Sequence, residues 1–404
     1  MKILILSQYF WPESFRINEV AQTLNEMGHE IDILTAKPNY PKGKLFQGYN
    51  PFSFEMHLYK NMKVYRAPII TRGLNNPVKL TLNYLSFVIT GSLYVLFKLK
   101  NNDYQIIYIY STSPVLQAIP GLIIRKLRKI PLVLNLQDLW PDSLSATGYI
   151  KNKYTLRFVD LIVKFIYKNC DLILVSSKPF IKKLEKYNLK FPIKYFPNSV
   201  DPIFYSKKKI KQKTITELKD GFNIVFAGNL GKAQSIDTII GLSKALIPYE
   251  EIKLIIFGDG SEYKYLKSKK LQNNLKNIYL MGRYPLIEMP NIFYQADILL
   301  ATLSNQDCFD NTLPNKIQAY MSAKKPIVVS MNGEGARIIN ESKSGIAVPA
   351  ENITKLKDAI IKIYKLNPLE RKKISENSFK YFKKNFYHPT LIKKLEKELQ
   401  SLIL

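Results

Sequence analysis

The 404-residue sequence is poor in the residue types that build metal sites and disulfide frameworks. It contains two cysteines, Cys170 and Cys308, and three histidines, and none of their spacings is typical of a zinc site. A disulfide framework is therefore not expected. The simplest interpretation is a reduced protein of the cytosol that needs no metal ion and no other cofactor.

The sequence also lacks a long uninterrupted apolar run. Met1 and Lys2 lead directly into the apolar stretch 3–6, which has the length of a strand and lacks the longer apolar core and cleavage site of a signal peptide. No run reaches the roughly 20 apolar residues with which a helix crosses a bilayer. We therefore expect the mature chain to start at Met1 and to have no membrane span.

Acidic residues are scarce relative to basic ones. The chain has 60 Lys and Arg against 32 Asp and Glu, which gives a net charge of +28. Such a charge favours nucleic acid, anionic lipid or phosphorylated substrates as partners, although a compositional bias towards lysine is an equally good explanation. Because no strand carries the stacked aromatic residues of a nucleic-acid platform, nucleic acid is the partner we expect least.

The length indicates two domains, and both halves alternate short apolar strands with helical lengths. This alternation is typical of parallel sheets with helices on both faces, so the predicted fold class is α/β. The basic run 207–213 has no core residues and is interpreted as the linker. The strand candidates are 3–6, 31–34, 106–109, 132–136, 172–175, 223–227, 253–257, 277–280, 298–301 and 327–330.

Residues 312–323 predict a helix with a cation in its first turn. Thr312 is a plausible N-cap, Pro314 stands where a helix tolerates a missing amide hydrogen, and the helix is expected to end near Ala323. Lys316 then opposes the positive end of the helix dipole, which a bound anion would reverse. The pattern predicts a phosphate site, and the alternative is a solvated lysine on a surface helix.

Glycines follow three neighbouring strand candidates of the second half. Gly228 and Gly231 with Lys232 follow the first, Gly258 and Gly260 follow the second, and Gly282 with Arg283 follows the third. Glycine lets the backbone approach a phosphate closely, and open α/β sheets bind their ligands at the carboxyl ends of the strands. These loops and Lys316 therefore predict one anion site at this edge.

The first half carries two polar loops after strand candidates. The loop 7–16 has no glycine, so it lacks the dinucleotide-binding fingerprint, and its aromatic residues with Glu13 and Arg16 suit a larger partner. In the loop 137–142, Asp138 and Asp142 can orient or deprotonate a hydroxyl, and the alternative role of each is helix capping.

An apolar stretch at 84–97 is followed by Lys98 and Lys100, and only Asp103 is acidic between residues 79 and 129. An apolar helix with aromatic residues and flanking cations can lie on an anionic membrane surface. A core helix of the α/β layer is the alternative. Both interpretations stay open at this point.

Several segments occur in the order and spacing of the family-4 retaining glycosyltransferases, which the chain resembles over nearly its whole length. They are 172–177, 196–201, 226–234, 257–260 and 314–326. The segments 9–13, 39–41, 137–141, 228–234 and 316–321 look like those of the N-acetyl-L-fucosamine transferases of bacterial O-antigen and capsule synthesis.

This resemblance implies the GT-B fold, in which two Rossmann-like domains face each other across a cleft. The implied domains are 1–205, which binds the acceptor, and 206–385, which binds the nucleotide sugar. Residues 386–404 would form a helix that returns to the first domain.

The sequence departs from the family at residues that matter. The family's usual Arg and Lys on the diphosphate fall at Asn229 and Gln234, and its paired glutamates fall at Asn311 and Ala319. The first-domain histidine has no clear counterpart, and Gln137 occupies the nearest place. An inactive homologue would show such losses. Lys232, Arg283 and Lys316 can supply the missing charge, while Asn311 or Glu334 can meet ribose hydroxyls.

The resemblance implies transfer of an amino-deoxy sugar from a UDP-sugar to a polyprenyl-diphosphate-linked saccharide, by a cytoplasmic protein peripheral to the inner face of the membrane. Alternatives are a non-catalytic subunit that binds sugar nucleotides and a nucleotide-sugar epimerase. The predicted catalytic residues are Lys232, Lys316, Arg283, Asp138 and Glu13. The predicted donor-binding residues are Gly228, Asn229, Gln234, Gly258, Gly260, Asn311, Pro314, Asn315 and Glu334. The predicted acceptor-binding residues are Phe15, Arg16, Trp140 and Asp142.

Overall fold

The computed structural model describes residues 1–74, 76–146, 152–206 and 215–403. The chain divides into two compact units. The first unit is Met1–Pro197 together with Leu391–Leu404, and the second is Asn198–Thr390. The basic run 207–213, predicted as the linker, lies outside the described residues.

The first unit is built on an eight-stranded sheet in the order β3-β4-β2-β1-β5-β6-β7-β8. All neighbouring strands are parallel except the β3–β4 hairpin. The strands are β1 (Lys2–Leu6), β2 (Glu30–Ala36), β3 (Glu55–Tyr59), β4 (Met62–Ala67), β5 (Ile106–Ser111), β6 (Leu132–Leu136), β7 (Leu172–Val175) and β8 (Ile193–Tyr195). The sequence predicted the five central strands and missed β3, β4 and β8, because these three strands are short or alternate polar with apolar residues.

The helices of the first unit cover both faces of this sheet. In chain order up to β8, these helices are α1 (Ile17–Glu26), α2 (Pro77–Tyr94), α3 (Ile119–Arg128), α4 (Asp142–Ala146), α5 (Lys153–Lys168) and α6 (Lys178–Leu184). Buried residues of α2, α3, α5 and α6 belong to one core, so these four helices share one face of the sheet. Buried residues of α1 lie in a second core on the opposite face.

Helix α2 is longer than the sequence predicted. Asn76 caps it, with its side chain accepting a hydrogen bond from the Lys79 amide, and a π-helical turn at Val95–Leu99 continues it. The resulting helix, Pro77–Leu99, has 23 residues, and 28% of its most apolar 18-residue window is buried. By length and composition alone this helix could cross a membrane, and core helices of proteins without a membrane span meet the same criteria. One face is buried in the core, whereas Phe97 is 75% exposed.

The second unit is built on a six-stranded parallel sheet in the order β11-β10-β9-β12-β13-β14. Its strands are β9 (Phe222–Ala227), β10 (Ile252–Phe257), β11 (Ile278–Gly282), β12 (Ile298–Thr302), β13 (Ile327–Ser330) and β14 (Gly345–Val348). Its helices are α7 (Ile236–Ala245), α8 (Tyr263–Gln272), α9 (Met289–Gln295), α10 (Asp307–Asp310), α11 (Asn315–Ser322), α12 (Gly333–Ser342), α13 (Ile353–Lys365) and α14 (Pro368–Asn385). The predicted parallel α/β arrangement is confirmed in both units.

The last helix, α15 (His388–Gln400), packs on the first unit. Leu391 and Leu395 are buried in the same core as α1. Polar contacts reinforce this packing, since His29 Nε2 lies 2.8 Å from Glu396 and Lys194 lies 2.5 Å from Glu398.

Candidate functional site

The glycine loops after β9 and β10 touch at the carboxyl edge of the second sheet. The Gly228 amide donates to the Phe257 carbonyl at 2.9 Å, and the Gly258 amide donates to the Gly282 carbonyl at 2.8 Å. A Cβ on Gly258 would lie 1.9 Å from the Gly228 carbonyl oxygen, which is closer than side-chain atoms come to backbone. Glycine at position 258 therefore lets the two loops meet.

Gly260 makes a second close approach between the same loops. Its Cβ would lie 2.4 Å from the Leu230 carbonyl oxygen and 2.8 Å from Asn229 Oδ1. The Leu230 amide donates to the Asp259 carbonyl at 2.9 Å. The predicted donor-binding residues 228, 229, 258 and 260 thus lie together on one small area of backbone.

Lys316 lies directly against this area. Its Nζ atom is enclosed and has no hydrogen-bond partner among the described residues. It lies 4.0 Å from the centroid of the Phe226 ring, and a Cβ on Gly228 would come within 3.0 Å of it. Burial lowers the pKa of Lys316 to about 7. A buried cation without an acceptor is costly, so a bound anion at this point would stabilise the charged form of the amine.

Tyr320 sets the position of Lys316 from one turn further along α11. Its hydroxyl accepts a hydrogen bond from the Ala227 amide at 2.9 Å and lies 3.2 Å from the Leu300 carbonyl. The side chain of Gln318 donates to the Asn198 carbonyl at 2.8 Å. These bonds hold α11 at the ends of β9 and β12. Sequence reasoning did not identify Phe226 and Tyr320, because an apolar strand and an apolar helix face carry no signal for such contacts.

The start of α11 differs from the sequence prediction. Pro314 is the N-cap residue and Asn315 the first helical residue, so Thr312 as N-cap was wrong. The Thr312 hydroxyl instead donates to the Phe309 carbonyl at 3.1 Å. The reason is the short helix α10, which ends immediately before Thr312 and uses its hydroxyl. Lys316 remains in the first turn of α11.

The depressed pKa of Lys316 predicts how stability depends on pH. Below pH 7 the amine is protonated in both the folded and the unfolded chain, and folding bears the full cost of burying the charge. Between about pH 7 and 10.5 the unfolded chain holds a proton that the folded chain has released, so stability rises with pH. We expect the Lys316→Met variant to be more stable than the wild type at pH 6, and the difference to shrink towards pH 10. Urea unfolding at both pH values measures it, and a constant difference would contradict the enclosed amine.

The remaining residues of the predicted anion site lie around the same sheet edge. The Gln234 side chain accepts a hydrogen bond from the Gly231 amide at 3.0 Å and so shapes the loop after β9. Lys232 and Arg283 have exposed side chains that follow β9 and β11. They can therefore move towards a ligand at the glycine loops.

The residues predicted to meet the ribose already have intramolecular contacts. The Asn311 amide group donates to the Asp307 carbonyl at 3.0 Å. The buried Glu334 carboxylate receives two hydrogen bonds from Arg337, at 2.6 and 2.8 Å. Gly333 brings the start of α12 onto α10, since a Cβ there would lie 2.0 Å from the Asp310 carbonyl oxygen.

In the first unit, Glu13 joins two loops at the carboxyl edge of its sheet. Its Oε1 atom accepts hydrogen bonds from the amides of Asn39 at 2.8 Å and Tyr40 at 2.7 Å. Burial raises the pKa of Glu13 to about 7, while these amide hydrogens act in the opposite direction. A carboxyl group that titrates near neutral pH is suited to proton transfer.

Aromatic rings surround Glu13. The Phe15 ring stacks on Tyr9 with centroids 4.8 Å apart and lies 5.3 Å from the Tyr40 ring. Arg72 lies 5.0 Å from the centroid of the Tyr40 ring. Arg16, at the start of α1, pairs with Glu19 at 3.7 Å. Tyr9 is buried, Phe15 is partly exposed and Tyr40 is exposed.

The loop after β6 carries the other predicted acceptor residues. The Ser113 hydroxyl donates to Asp138 at 2.9 Å and accepts from the Trp140 ring nitrogen at 3.0 Å. Trp140 is buried, so it supports the loop from beneath. Asp142 pairs with Lys183 at 3.3 Å. Because β1 and β6 are strands of one sheet that run in the same direction, Asp138 and Glu13 lie at the same edge of the first unit.

The sequence analysis did not predict the buried cations of the first unit. Lys37 is fully buried and pairs with Glu55, and the Arg66 side chain donates to the Trp11 carbonyl. Lys37 directly follows β2 and Arg66 lies within β4, so a cation in or directly after a strand is the pattern that identifies them. Among the described residues, no three His, Cys, Asp or Glu side chains are grouped so that they could hold a metal ion.

Two family descriptions match this chain. Residues 15–204 match the family described as "Glycosyltransferase Family 4", and residues 207–381 match "Glycosyl transferases group 1". The order of the two matches follows the order of the two units along the chain.

Curated relatives are also glycosyltransferases by name. The chain is 26% identical over 265 residues to the probable glycosyltransferase WbjE of Pseudomonas aeruginosa, which covers 63% of this chain and 65% of that relative. The match with this chain therefore spans somewhat less than two thirds of the length of that relative. It is 22% identical over 346 residues to the putative colanic acid biosynthesis glycosyl transferase WcaI of Escherichia coli (strain K12), which covers 82% of this chain and 83% of the relative.

A solved structure shares the overall fold. Alr3699/HepE of Anabaena in complex with UDP superposes with a TM-score of 0.68 at 14% identity, and the match covers 100% of both chains. At this identity the likeness establishes the fold alone, which is GT-B. The chain is thus built of two glycosyltransferase domains, a family 4 domain followed by a group 1 domain, in the GT-B fold.

Proposed function

We propose that the protein is a retaining glycosyltransferase of surface polysaccharide synthesis. In this proposal a C-terminal domain, 206–385, binds a UDP-sugar, and an N-terminal domain, 1–205, binds a polyprenyl-diphosphate-linked saccharide. The observation that carries the proposal is the enclosed amine of Lys316, which lies unpaired against the Gly228 loop. A diphosphate group is an anion that glycine loops and a lysine bind well.

The chemistry of the proposal follows from the charge that develops during transfer. The bond between the sugar's anomeric carbon and the diphosphate breaks, and its electron pair stays on the leaving oxygen. Lys316, with Lys232 and Arg283 from the same edge, stabilises that negative charge without a metal ion. The acceptor oxygen forms the new bond on the same face of the sugar, and its proton passes to the departing diphosphate.

The first unit would position the acceptor hydroxyl. Asp138 and Glu13 are carboxylates at one sheet edge, and Phe15 belongs to the stacked rings beside Glu13. Holding a hydroxyl in attacking geometry is a large part of catalysis in such a transfer, because it removes the entropy cost of bringing two substrates together.

The identity of the donor is proposed from two sources. Anabaena Alr3699/HepE, which has the same fold, was solved with UDP, and the motifs at 137–141 and 316–321 resemble those of N-acetyl-L-fucosamine transferases. We therefore propose a UDP-activated amino-deoxy sugar, with N-acetyl-fucosamine as the first candidate. A prenyl-linked acceptor would bring the protein to the inner face of the cytoplasmic membrane, and the largely exposed apolar helix Pro77–Leu99 supports this proposed location.

A donor panel tests the proposed function. We expect one UDP-sugar to yield a product whose mass equals that of the prenyl-linked acceptor plus one sugar residue, at the same rate with and without EDTA. The measurement is mass spectrometry after incubation with each donor. Calorimetric binding of a donor without any product would favour a non-catalytic subunit, and conversion of the donor without acceptor would favour an epimerase.

A further inference from the structure

Helix α5 carries an apolar stripe on its exposed side. The stripe consists of Tyr154, Phe158, Leu161 and Phe165, and each of these side chains is at least 60% exposed. Their spacing of four, three and four residues places them on one side of the helix. Val163, Ile166 and Tyr167 of the same helix are buried in the core on the opposite side.

Helix α2 carries a second stripe of the same kind. Val78, Leu85, Ile89 and Phe97 are exposed, whereas Phe87 of the same helix is fully buried. Because α2 and α5 both pack on one face of the first sheet, both stripes point away from that face. Leu127 of α3, between them in the chain, is exposed as well. An exposed apolar stripe on each of two helices on the same face of the sheet is a candidate binding surface.

Cations accompany the α5 stripe. Lys153, Arg157, Lys164 and Lys168 are all exposed, and none of them forms an ion pair with a carboxylate in the described part of the chain. The one acid of this helix, Asp160, accepts a hydrogen bond from the Tyr187 hydroxyl at 2.6 Å. The exposed side of α5 is therefore apolar along its centre and positive along one margin.

We propose that the apolar stripe of α5, together with that of α2, docks the first unit onto an anionic lipid bilayer. Aromatic and aliphatic side chains enter the boundary between headgroups and acyl chains, and the lysines and arginine contact the anionic headgroups. A second copy of the chain is a poorer occupant, because two surfaces with the same positive margin repel each other. The inference extends the proposed membrane location to a second helix, and it does not depend on catalysis.

Vesicle co-sedimentation of the full chain tests this surface. The variant that combines Phe158→Asp and Phe165→Asp should lower the partition coefficient onto phosphatidylcholine vesicles containing phosphatidylglycerol by about 10-fold or more. The matched control is Leu271→Asp on α8, which alters a side chain that is 71% exposed in the second unit. It should sediment like the wild type. Combining Arg157→Glu with Lys164→Glu should weaken binding to the anionic vesicles and leave binding to pure phosphatidylcholine unchanged.

Three results would overturn the inference. One is equal sedimentation of the Phe158 and Phe165 double variant and the wild type. Another is a wild-type dimer in solution that the same double variant dissociates, which would assign the stripe to a second copy. The third is equal binding to vesicles with and without anionic lipid. Turnover of a short-chain, water-soluble acceptor analogue without vesicles separates this question from the proposed function, because α5 variants should leave it unchanged.

Discussion

The Lys316→Ala variant is expected to turn over about 10²-fold more slowly than the wild type, or slower still. The reason is the position of its amine, which is enclosed against Gly228 and has no partner among the described residues. Charge that develops on a leaving diphosphate would be met there by the amine, which binding of the diphosphate keeps protonated. Steady-state kinetics with saturating donor and acceptor measures the effect.

The controls for this prediction separate chemistry from folding. Because the variant removes an unpaired buried amine, its thermal midpoint should not fall below that of the wild type at pH 7. Lys325→Ala is the matched control, since Lys325 is also partly buried and its Nζ lies 5.4 Å from the centroid of the Tyr294 ring. It should keep wild-type turnover. If Lys316→Ala also kept wild-type turnover, the amine would play no part in the reaction.

The Gly258→Ala variant is expected to lose about as much activity as Lys316→Ala, because the added Cβ displaces the neighbouring loop. The added Cβ would lie 1.9 Å from the Gly228 carbonyl oxygen, so the loop after β9 has to move by more than 1 Å. A displacement of that size at a substrate-positioning group costs about 10²-fold in turnover. UDP affinity should fall as well, which calorimetry measures beside the kinetics.

Gly28 provides a control in which an added Cβ strains the backbone but contacts no other atom. Gly28 has a φ of +90°, but a Cβ there meets no atom within 4 Å. Gly28→Ala should therefore cost about 1 kcal/mol of stability and leave turnover unchanged. Equal turnover of Gly258→Ala and the wild type would show that contact between the two loops is not needed for the reaction.

The sequence predicted which loops and side chains meet at the carboxyl edge of the second sheet, but not how they contact one another. Glycines after successive strands and a lysine at a helix start are local signals, and parallel strands bring them to one edge of the sheet whatever the loops do. The enclosure of the Lys316 amine by Phe226 and Gly228 was not predictable, because it depends on how far α11 sits along β9. That position comes from the Tyr320 hydroxyl, a contact between residues 93 positions apart in the chain.

Elsewhere the local signals were overridden by neighbouring structure. Thr312 looks like an N-cap in isolation, but α10 precedes it directly and its hydroxyl bonds back to Phe309. The apolar run at 84–97 looked too short to span a bilayer, because the sequence did not reveal that the helix already begins at Pro77 and continues to Leu99. Edge strands such as β3, with their alternating exposure, were missed for lack of a continuous apolar run.

The family departures are consistent with this geometry. Ala319 is packed beside the second unit's core and offers no polar group to a ribose. Asn311 and Glu334 are hydrogen-bonded within the protein, to Asp307 and Arg337. In the proposed function, Lys316 and the glycine loops therefore make most of the contacts with the donor. The exposed side chains of Lys232 and Arg283 bind it from the same edge of the sheet.

The most direct test of the account is a crystal structure of the protein with UDP. The account predicts that a diphosphate oxygen lies within hydrogen-bond distance, about 2.7–3.2 Å, of Lys316 Nζ, with the diphosphate against Gly228 and Gly258. A diphosphate bound elsewhere, with the Lys316 amine still enclosed beside Phe226, would contradict it.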